Sequence, residues 1–219
     1  MAVHSVAYNK VLYCDSNVKE DDDIHLASKL SISERVSSVN EMANSLYVSN
    51  RQQNKGYNFI VICGHGGPGI QSLGSEQEEN YIPGKDFCFS NLSDIDTDVA
   101  VISLALNTQQ RVKPVLFLAG CQVGEGDDGT LLLKRLSKKI PNVLLVASED
   151  PLTYQESTIR NRISSISICK LVKMKSTQIP PEFKFAYNGK IVSEAFISKN
   201  MGVKAETLRG ELTVINNTF

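Results

Sequence analysis

The 219-residue chain has almost no net charge: 23 Lys+Arg stand against 24 Asp+Glu, a formal balance of -1. No global field draws it to nucleic acid or to a lipid surface, so partners have to be sought in local sites. Its five cysteines, Cys14, Cys63, Cys88, Cys121 and Cys169, are odd in number and never form a CxxC pair. That argues against a disulfide framework and a zinc knuckle, and it fits reduced thiols in a cytosol. No apolar run approaches the roughly 18 residues that a bilayer span requires. A basic-then-apolar leader is missing as well. The expectation is a cytoplasmic protein without membrane insertion, or an exported effector or toxin module lacking a recognisable signal peptide. Histidine is scarce, with His4, His25 and His65 only.

What is present reads as one α/β domain over residues 1–219, with a core at 57–150 and a C-terminal extension of the same sheet at 151–219. "SVAYNKVLYC" (5–14) has the pattern of a strand, and the acidic "DSNVKEDDD" after it that of a solvated loop. Ser31 and Glu34 have the form of a capping box, and Ile32, Val36, Val39, Ala43 and Leu46 follow helical spacing, which predicts a helix from Ser31. "YNFIVICG", "KPVLFLAGC" and "NVLLVAS" are short apolar runs of the kind buried on both faces of a sheet. The amphipathic segments around Ile95–Leu106 and 124–141 lie between them, the second with acids at its start and lysines at its end, matching the helix dipole. Strand, helix, strand, helix, strand implies a mostly parallel central sheet with right-handed crossovers and helices on both faces. Beyond 150, "SSISICKLV", "EFKFAY" and "ELTVIN" suggest strands and "KIVSEAFISKN" a helix.

The stretch "FIVICGHGGPG" (59–69) carries the chemistry. It lacks the GxxxxGK[ST] pattern and is followed by a poor helix start, which argues against a phosphate cradle. "HGGPG" also resembles an oxyanion loop of α/β-hydrolases, but that fold places its histidine after the nucleophile, and no histidine follows Cys121. The remaining reading pairs two strand ends. His65 ends one buried strand and Cys121 the next; on neighbouring parallel strands, about 4.8 Å apart, they supply an acid/base and a nucleophile for acyl transfer.

In order and strand context, "FIVICGHGG" followed by "VLFLAGCQVGEGDDG" resembles the caspase-like cysteine peptidases, the group of caspases, legumain, clostripain, separase, caspase-like modules associated with tetratricopeptide repeats, and toxin cysteine-peptidase domains. The resemblance covers roughly residues 57 to 150 and rests on His65, Gly66, Gly120 and Cys121. It implies a caspase-like architecture and a cysteine endopeptidase acting on a protein or peptide substrate, the chain itself included. Cys121 would be the nucleophile and His65 the acid, with the backbone N–H groups of Gly66 and Cys121 as oxyanion donors. Helix dipole assistance to the thiolate is expected near Asp127, no acid orienting His65 is evident, and neither a cofactor nor a metal is implied.

Glu149 and Asp150, after the strand that follows Cys121, are the candidate substrate-binding residues, selecting a basic side chain; Arg160 and Arg162 would favour an acidic one instead. A solvated loop accounts equally for either pair. Lys134, Lys138, Lys139, Lys170, Lys173 and Lys175 suggest an anionic activator, beside the alternative of an activating partner, and a polar helix face explains the first three as well. Cys63 and Cys169 read as core, and His4 and His25 as surface residues. The competing functions are a catalytically silent caspase-like interaction module and, less favoured by motif order, an α/β-hydrolase-type esterase.

Overall fold

A computed structural model describes residues 9–53, 57–74, 82, 84–107, 113–160, 162–172, 175–176 and 179–216. His4, Lys173 and the first residues of the "SVAYNKVLYC" segment lie outside them. The first strand, β1, is Lys10–Asp15; a short 3-10 helix, Asp23–Lys29, precedes β2 (Ser33–Val36), and helix α1 is Val39–Gln53. Then come β3 (Phe59–Cys63) and three two-residue strands, β4 (Gly66–Gly67), β5 (Ile70–Gln71) and β6 (Phe87–Cys88). A 3-10 turn, Leu92–Ile95, leads into α2 (Asp96–Asn107), followed by β7 (Val115–Leu118), α3 (Gly126–Lys139) and β8 (Leu144–Ser148). The remainder is β9 (Leu152–Ile159), β10 (Arg162–Val172), β11 (Lys175–Ser176), β12 (Phe183–Tyr187), β13 (Lys190–Val192), α4 (Glu194–Asn200), α5 (Ala205–Thr213) and β14 (Val214–Asn216).

The fold is α/β, as expected: a seven-stranded sheet of order β13-β12-β8-β7-β3-β1-β2. Its five central and N-terminal strands are parallel, and β12 and β13 are antiparallel. Alternation along each strand serves two cores. Ile60, Ile62, Leu116 and Leu118 face a layer built by α1, α2 and α3, through residues such as Met42, Ile102 and Leu136. Phe59, Val61, Val115 and Phe117 face a second layer, holding Ile24 of the 3-10 helix, Ile197 of α4, Leu208 and Leu212 of α5, and Leu152, Ile166 and Ile168 of the second sheet. Each such side chain contributes about 1.5–3 kcal/mol on full burial, which is why these strands read as unbroken apolar runs. Among the described residues no helix is long and apolar enough to cross a membrane.

Three expectations need correction. The segment from Ser31 is not helical at its start: Ser33–Val36 pairs with β1 in parallel, and the helix begins at Val39. Its capping box is Ser38 and Glu41 instead. The Ser38 hydroxyl accepts from Glu41 N at 3.1 Å, and the Glu41 carboxylate accepts from Ser37 N at 2.8 Å and Ser37 Oγ at 2.7 Å, which lowers the Glu41 pKa. Pairing with β1 overrides the local helical periodicity. Next, the central sheet continues past residue 150 only at β12 and β13; β9, β10, β11 and β14 form a second sheet. Finally, Lys190–Val192 is a strand ahead of α4, whereas Glu211–Thr213 completes α5, because Leu208 and Leu212 stack one turn apart into the core.

Candidate active site

β3 and β7 are hydrogen-bonded neighbours in parallel, so the loops that leave their C-terminal ends meet on one edge of the sheet. Beyond β3 the chain folds into the small β4-β5-β6 sheet, which aligns Gly66 with Gln71. Gln71 is fully buried and bridges the two loops: its Oε1 accepts from Gly120 N at 2.7 Å, and its Nε2 donates to the His65 carbonyl at 3.4 Å and to Ser72 O at 3.2 Å. Ser72 N donates to the same His65 carbonyl at 2.9 Å. The loops touch backbone to backbone. A Cβ on Gly66 would lie 2.9 Å from Cys121 O and 3.0 Å from Cys121 N, and one on Gly120 would lie 2.9 Å from His65 O. Glycine at both positions is what lets the two strand ends approach this closely.

Cys121 is partly exposed, whereas Cys14, Cys63, Cys88 and Cys169 are buried. Its sulfur accepts a hydrogen bond from Leu152 N at 3.3 Å and donates one to Leu152 O at 3.6 Å. The next residue, Gln122, has a left-handed φ of 56 and turns the chain back over the end of β8. Gln122 N donates to Asp150 O at 3.0 Å and Gly124 N to Ser148 O at 2.7 Å. Helix α3 starts only at Gly126, and the direct partner of the sulfur is the main chain of residue 152. Cys14 and Cys63 are register partners in the core; the hydrogen bond between their thiols, then burial, raises the Cys14 thiol well above its ordinary range.

His65 has an acidic partner that the sequence did not reveal. Its Nε2 lies 3.2 Å from Asp22 Oδ2, with side-chain exposures of 21% and 24%. The other Asp22 oxygen accepts from Ile24 N at 2.9 Å and so caps the 3-10 helix. Asp22 belongs to the acidic run expected to be a solvated loop, and neither its spacing nor its neighbours distinguish it from Asp21. Asn17, Lys19, Asp21, Asp22 and His65 line an open polar cavity of about 340 Å³. It lies at the point where the strand order reverses, since β1 carries β2 on one side and β3 on the other. Crevices at the C-terminal ends of strands around such a point are the usual ligand sites of open α/β sheets. Beneath it, Asp15 is buried and accepts from Ser72 Oγ at 2.6 Å and from Asn17 N at 2.9 Å; burial raises its pKa against those bonds.

The geometry thus gathers His65, Gly66, Gly120 and Cys121 at one edge of the sheet, with the two glycines buried between the loops. Glu149 and Asp150 border it, and each already carries a lysine: Glu149 pairs with Lys184 at 3.0 Å, and Asp150 with Lys170 at 2.6 Å and Glu182 N at 2.8 Å. Arg160 and Arg162 sit at the far end of the β9–β10 hairpin, exposed, about 25 Å along β9 from Leu152. His25 is half-buried within the 3-10 helix, with Ser28 Oγ 3.4 Å from its Nδ1. Among the described residues there is no group of three or more His, Cys, Asp or Glu able to hold a metal ion. No protein-family model matches the sequence, and neither a curated protein nor a solved structure does.

Proposed function

We propose that the chain is a cysteine endopeptidase of caspase-like architecture, working through His65 and Cys121. One observation carries this reading: the loops that leave two parallel neighbouring strands hold these two residues, with Gly66 packed against the Cys121 backbone. The Cys121 thiol gives its proton to His65 as its sulfur attacks the scissile carbonyl, and the N–H groups of Gly66 and Cys121 take up the charge on the carbonyl oxygen. As the C–N bond breaks, His65, oriented by Asp22, protonates the departing amine through the ring nitrogen that Asp22 does not hold. Water, deprotonated by His65, then cleaves the thioester and restores the thiol. Across the sheet edge the order is Cys121 after β7, His65 after β3 and the polar cavity on the β1 side. The part of the substrate C-terminal to the scissile bond therefore leaves over Asn17, Lys19 and Asp21. Glu149 and Asp150 would contact the acyl side, and a basic substrate residue would have to displace Lys184 or Lys170.

The test is a positional-scanning peptide library, with Cys121→Ala as control and site-resolved iodoacetamide labelling alongside. Cleavage lost in the variant, and Cys121 labelled fastest of the five thiols, is the expected outcome. If Cys121 labels no faster than the others and Cys121→Ala leaves proteolysis unchanged, the proposal is wrong. A reactive Cys121 without cleavage of any peptide would favour the silent interaction module.

A further inference from the structure

Residues 152–154, at the start of β9, contact Cys121 directly and reach Asp23, the neighbour of the acid that holds His65. Leu152 N donates to Cys121 Sγ at 3.3 Å. The Thr153 hydroxyl donates to Asp23 Oδ2, and Tyr154 N donates to the same oxygen at 2.9 Å. The buried Tyr154 hydroxyl donates to the carbonyl of Ala119, just ahead of the Gly120–Cys121 turn. Asp23 in turn adjoins Asp22, whose carboxylate holds His65. β9 pairs with β10 and not with the seven-stranded sheet, and its bonds join the turn after β7 to the 3-10 helix after β1.

The geometry points to Asp23 and Tyr154 as positioning residues that set His65, through Asp22, against Cys121. This rests on the peptidase reading of the site. Asp22 and Asp23 divide the work at the N-terminus of the 3-10 helix: Asp22 turns to His65 and caps the helix, whereas Asp23 turns to β9. A 3-10 helix is held by poorer hydrogen bonds than an α-helix and does little to fix its own first turn. Asp22 is held locally by Asp22 N to Lys19 O at 3.1 Å and His25 N to Asp22 O at 3.1 Å, and the Asp23 carboxylate is what ties this turn to β9. Burial raises the Asp23 pKa, while the bonds from Thr153 and Tyr154 work against that shift. Both donors of β9 meet on one oxygen of this carboxylate, which fixes its position relative to β9. On the other side, Tyr154 ties the Ala119 carbonyl and so the entry to the Cys121 turn. One three-residue segment thereby sets the histidine arm and the cysteine arm relative to each other.

The experiment uses the full chain with Asp23→Ala, Asp23→Asn, Thr153→Val and Tyr154→Phe. The readouts are kcat and KM on a cleaved peptide, the iodoacetamide rate at Cys121, and thermal melting. Misplacement of the dyad by about 1 Å costs on the order of 100-fold in rate, so Asp23→Ala is expected to lose about that much kcat at unchanged KM. Its Cys121 labelling should slow as well. Asp23→Asn keeps an acceptor oxygen and should recover most of the loss, a rescue that a charge-based role would not give. Tyr154→Phe should lose about tenfold and Thr153→Val less. Folded Asp23→Ala with kcat and labelling within about twofold of the parent, or Asp23→Asn as damaged as Asp23→Ala, overturns the proposal. If Asp23→Ala does not fold, unchanged kcat and labelling in both Thr153→Val and Tyr154→Phe overturn it. If the parent cleaves no peptide, the peptidase reading fails by itself. The labelling rates then decide the positioning role: slowed in Asp23→Ala they support it, unchanged they refute it.

Discussion

The loops that follow β3 and β7 leave neighbouring strands in the same direction, and they are held in place by different means. Around His65 most supports are side chains. The Gln71 amide holds its carbonyl together with Ser72 N, Asp15 takes the Ser72 hydroxyl, and Asp22 takes the ring. Further out, buried Asp86 accepts from Leu73 N, Gly74 N and Ile82 N. Around Cys121 most supports are main chain, Gln122 N to Asp150 O, Gly124 N to Ser148 O and Leu152 N to the sulfur, joined by the side chains of Gln71 on Gly120 N and Tyr154 on Ala119 O. The histidine arm therefore depends on buried polar groups, and single substitutions and pH should disturb it. The cysteine arm depends more on close backbone approach, and it should respond to added volume as well as to loss of the Gln71 and Tyr154 bonds.

Gln71 belongs to both arms, and its loss should have the largest effect. Gln71→Leu fits the space but leaves Gly120 N without its acceptor and removes a donor from two carbonyls. Each buried orphan costs about 1–3 kcal/mol, so a total of about 2–4 kcal/mol is expected. Urea unfolding measures it, and a midpoint equal to that of the parent would show that the bridge contributes nothing. Gly66→Ala tests the cysteine arm by volume. Its new Cβ would meet Val123 Cγ2 at 2.7 Å and the Cys121 backbone at 2.9 and 3.0 Å. The first contact can yield by rotation and the other two cannot, so overpacking of about 1–3 kcal/mol is expected. Cys121 labelling should slow in parallel. Equal labelling rates would mean that the two loops are not rigidly apposed.

Asp15→Asn separates the arms by pH. The Asp15 carboxyl is raised mainly by burial, so the folded state holds its proton to higher pH than the unfolded chain does. The parent then loses stability as pH rises from the ordinary carboxylate range through the raised value, and the loss is complete above it. Asparagine has no such titration. The difference between variant and parent should move in favour of Asp15→Asn across that window and stay constant at higher pH. Asp23, also raised, titrates in both proteins and cancels. A difference independent of pH would remove Asp15 from the account.

The same contrast explains which parts were legible in the sequence. The buried parallel strands were, because Phe59–Cys63, Val115–Leu118 and Leu144–Ser148 are apolar on both faces. His65 and Cys121 were, because each directly follows such a run. Asp22, Gln71 and Tyr154 were not. They act through partners that are remote in sequence, and an acid in an acidic run or a glutamine in a polar loop has no local signature. The misplaced start of α1 has a similar origin, since Ser33–Val36 becomes a strand only because β1 offers it an edge. The second sheet was hidden for the same reason: β9 is apolar at Leu152 and Tyr154 and exposed from Glu156 onward, so its first half belongs to the core and its second half to a projecting hairpin.

The smallest effect is expected at Gln122, the turn that aims Cys121. A non-glycine residue at φ 56 costs about 1–2 kcal/mol relative to right-handed backbone, and glycine relieves that strain. Glycine also raises the entropy of the unfolded chain, worth about 0.4–1 kcal/mol in the other direction, and it removes the side-chain bond from Gln122 Nε2 to Glu125 Oε2 at 2.5 Å. These contributions nearly cancel, so Gln122→Gly should shift stability by no more than about 0.5 kcal/mol. Its main-chain bond to Asp150 O is retained, and Cys121 labelling should be unchanged. Slower labelling without a change in stability would mean that the side chain of residue 122, and not the backbone, sets the cysteine arm.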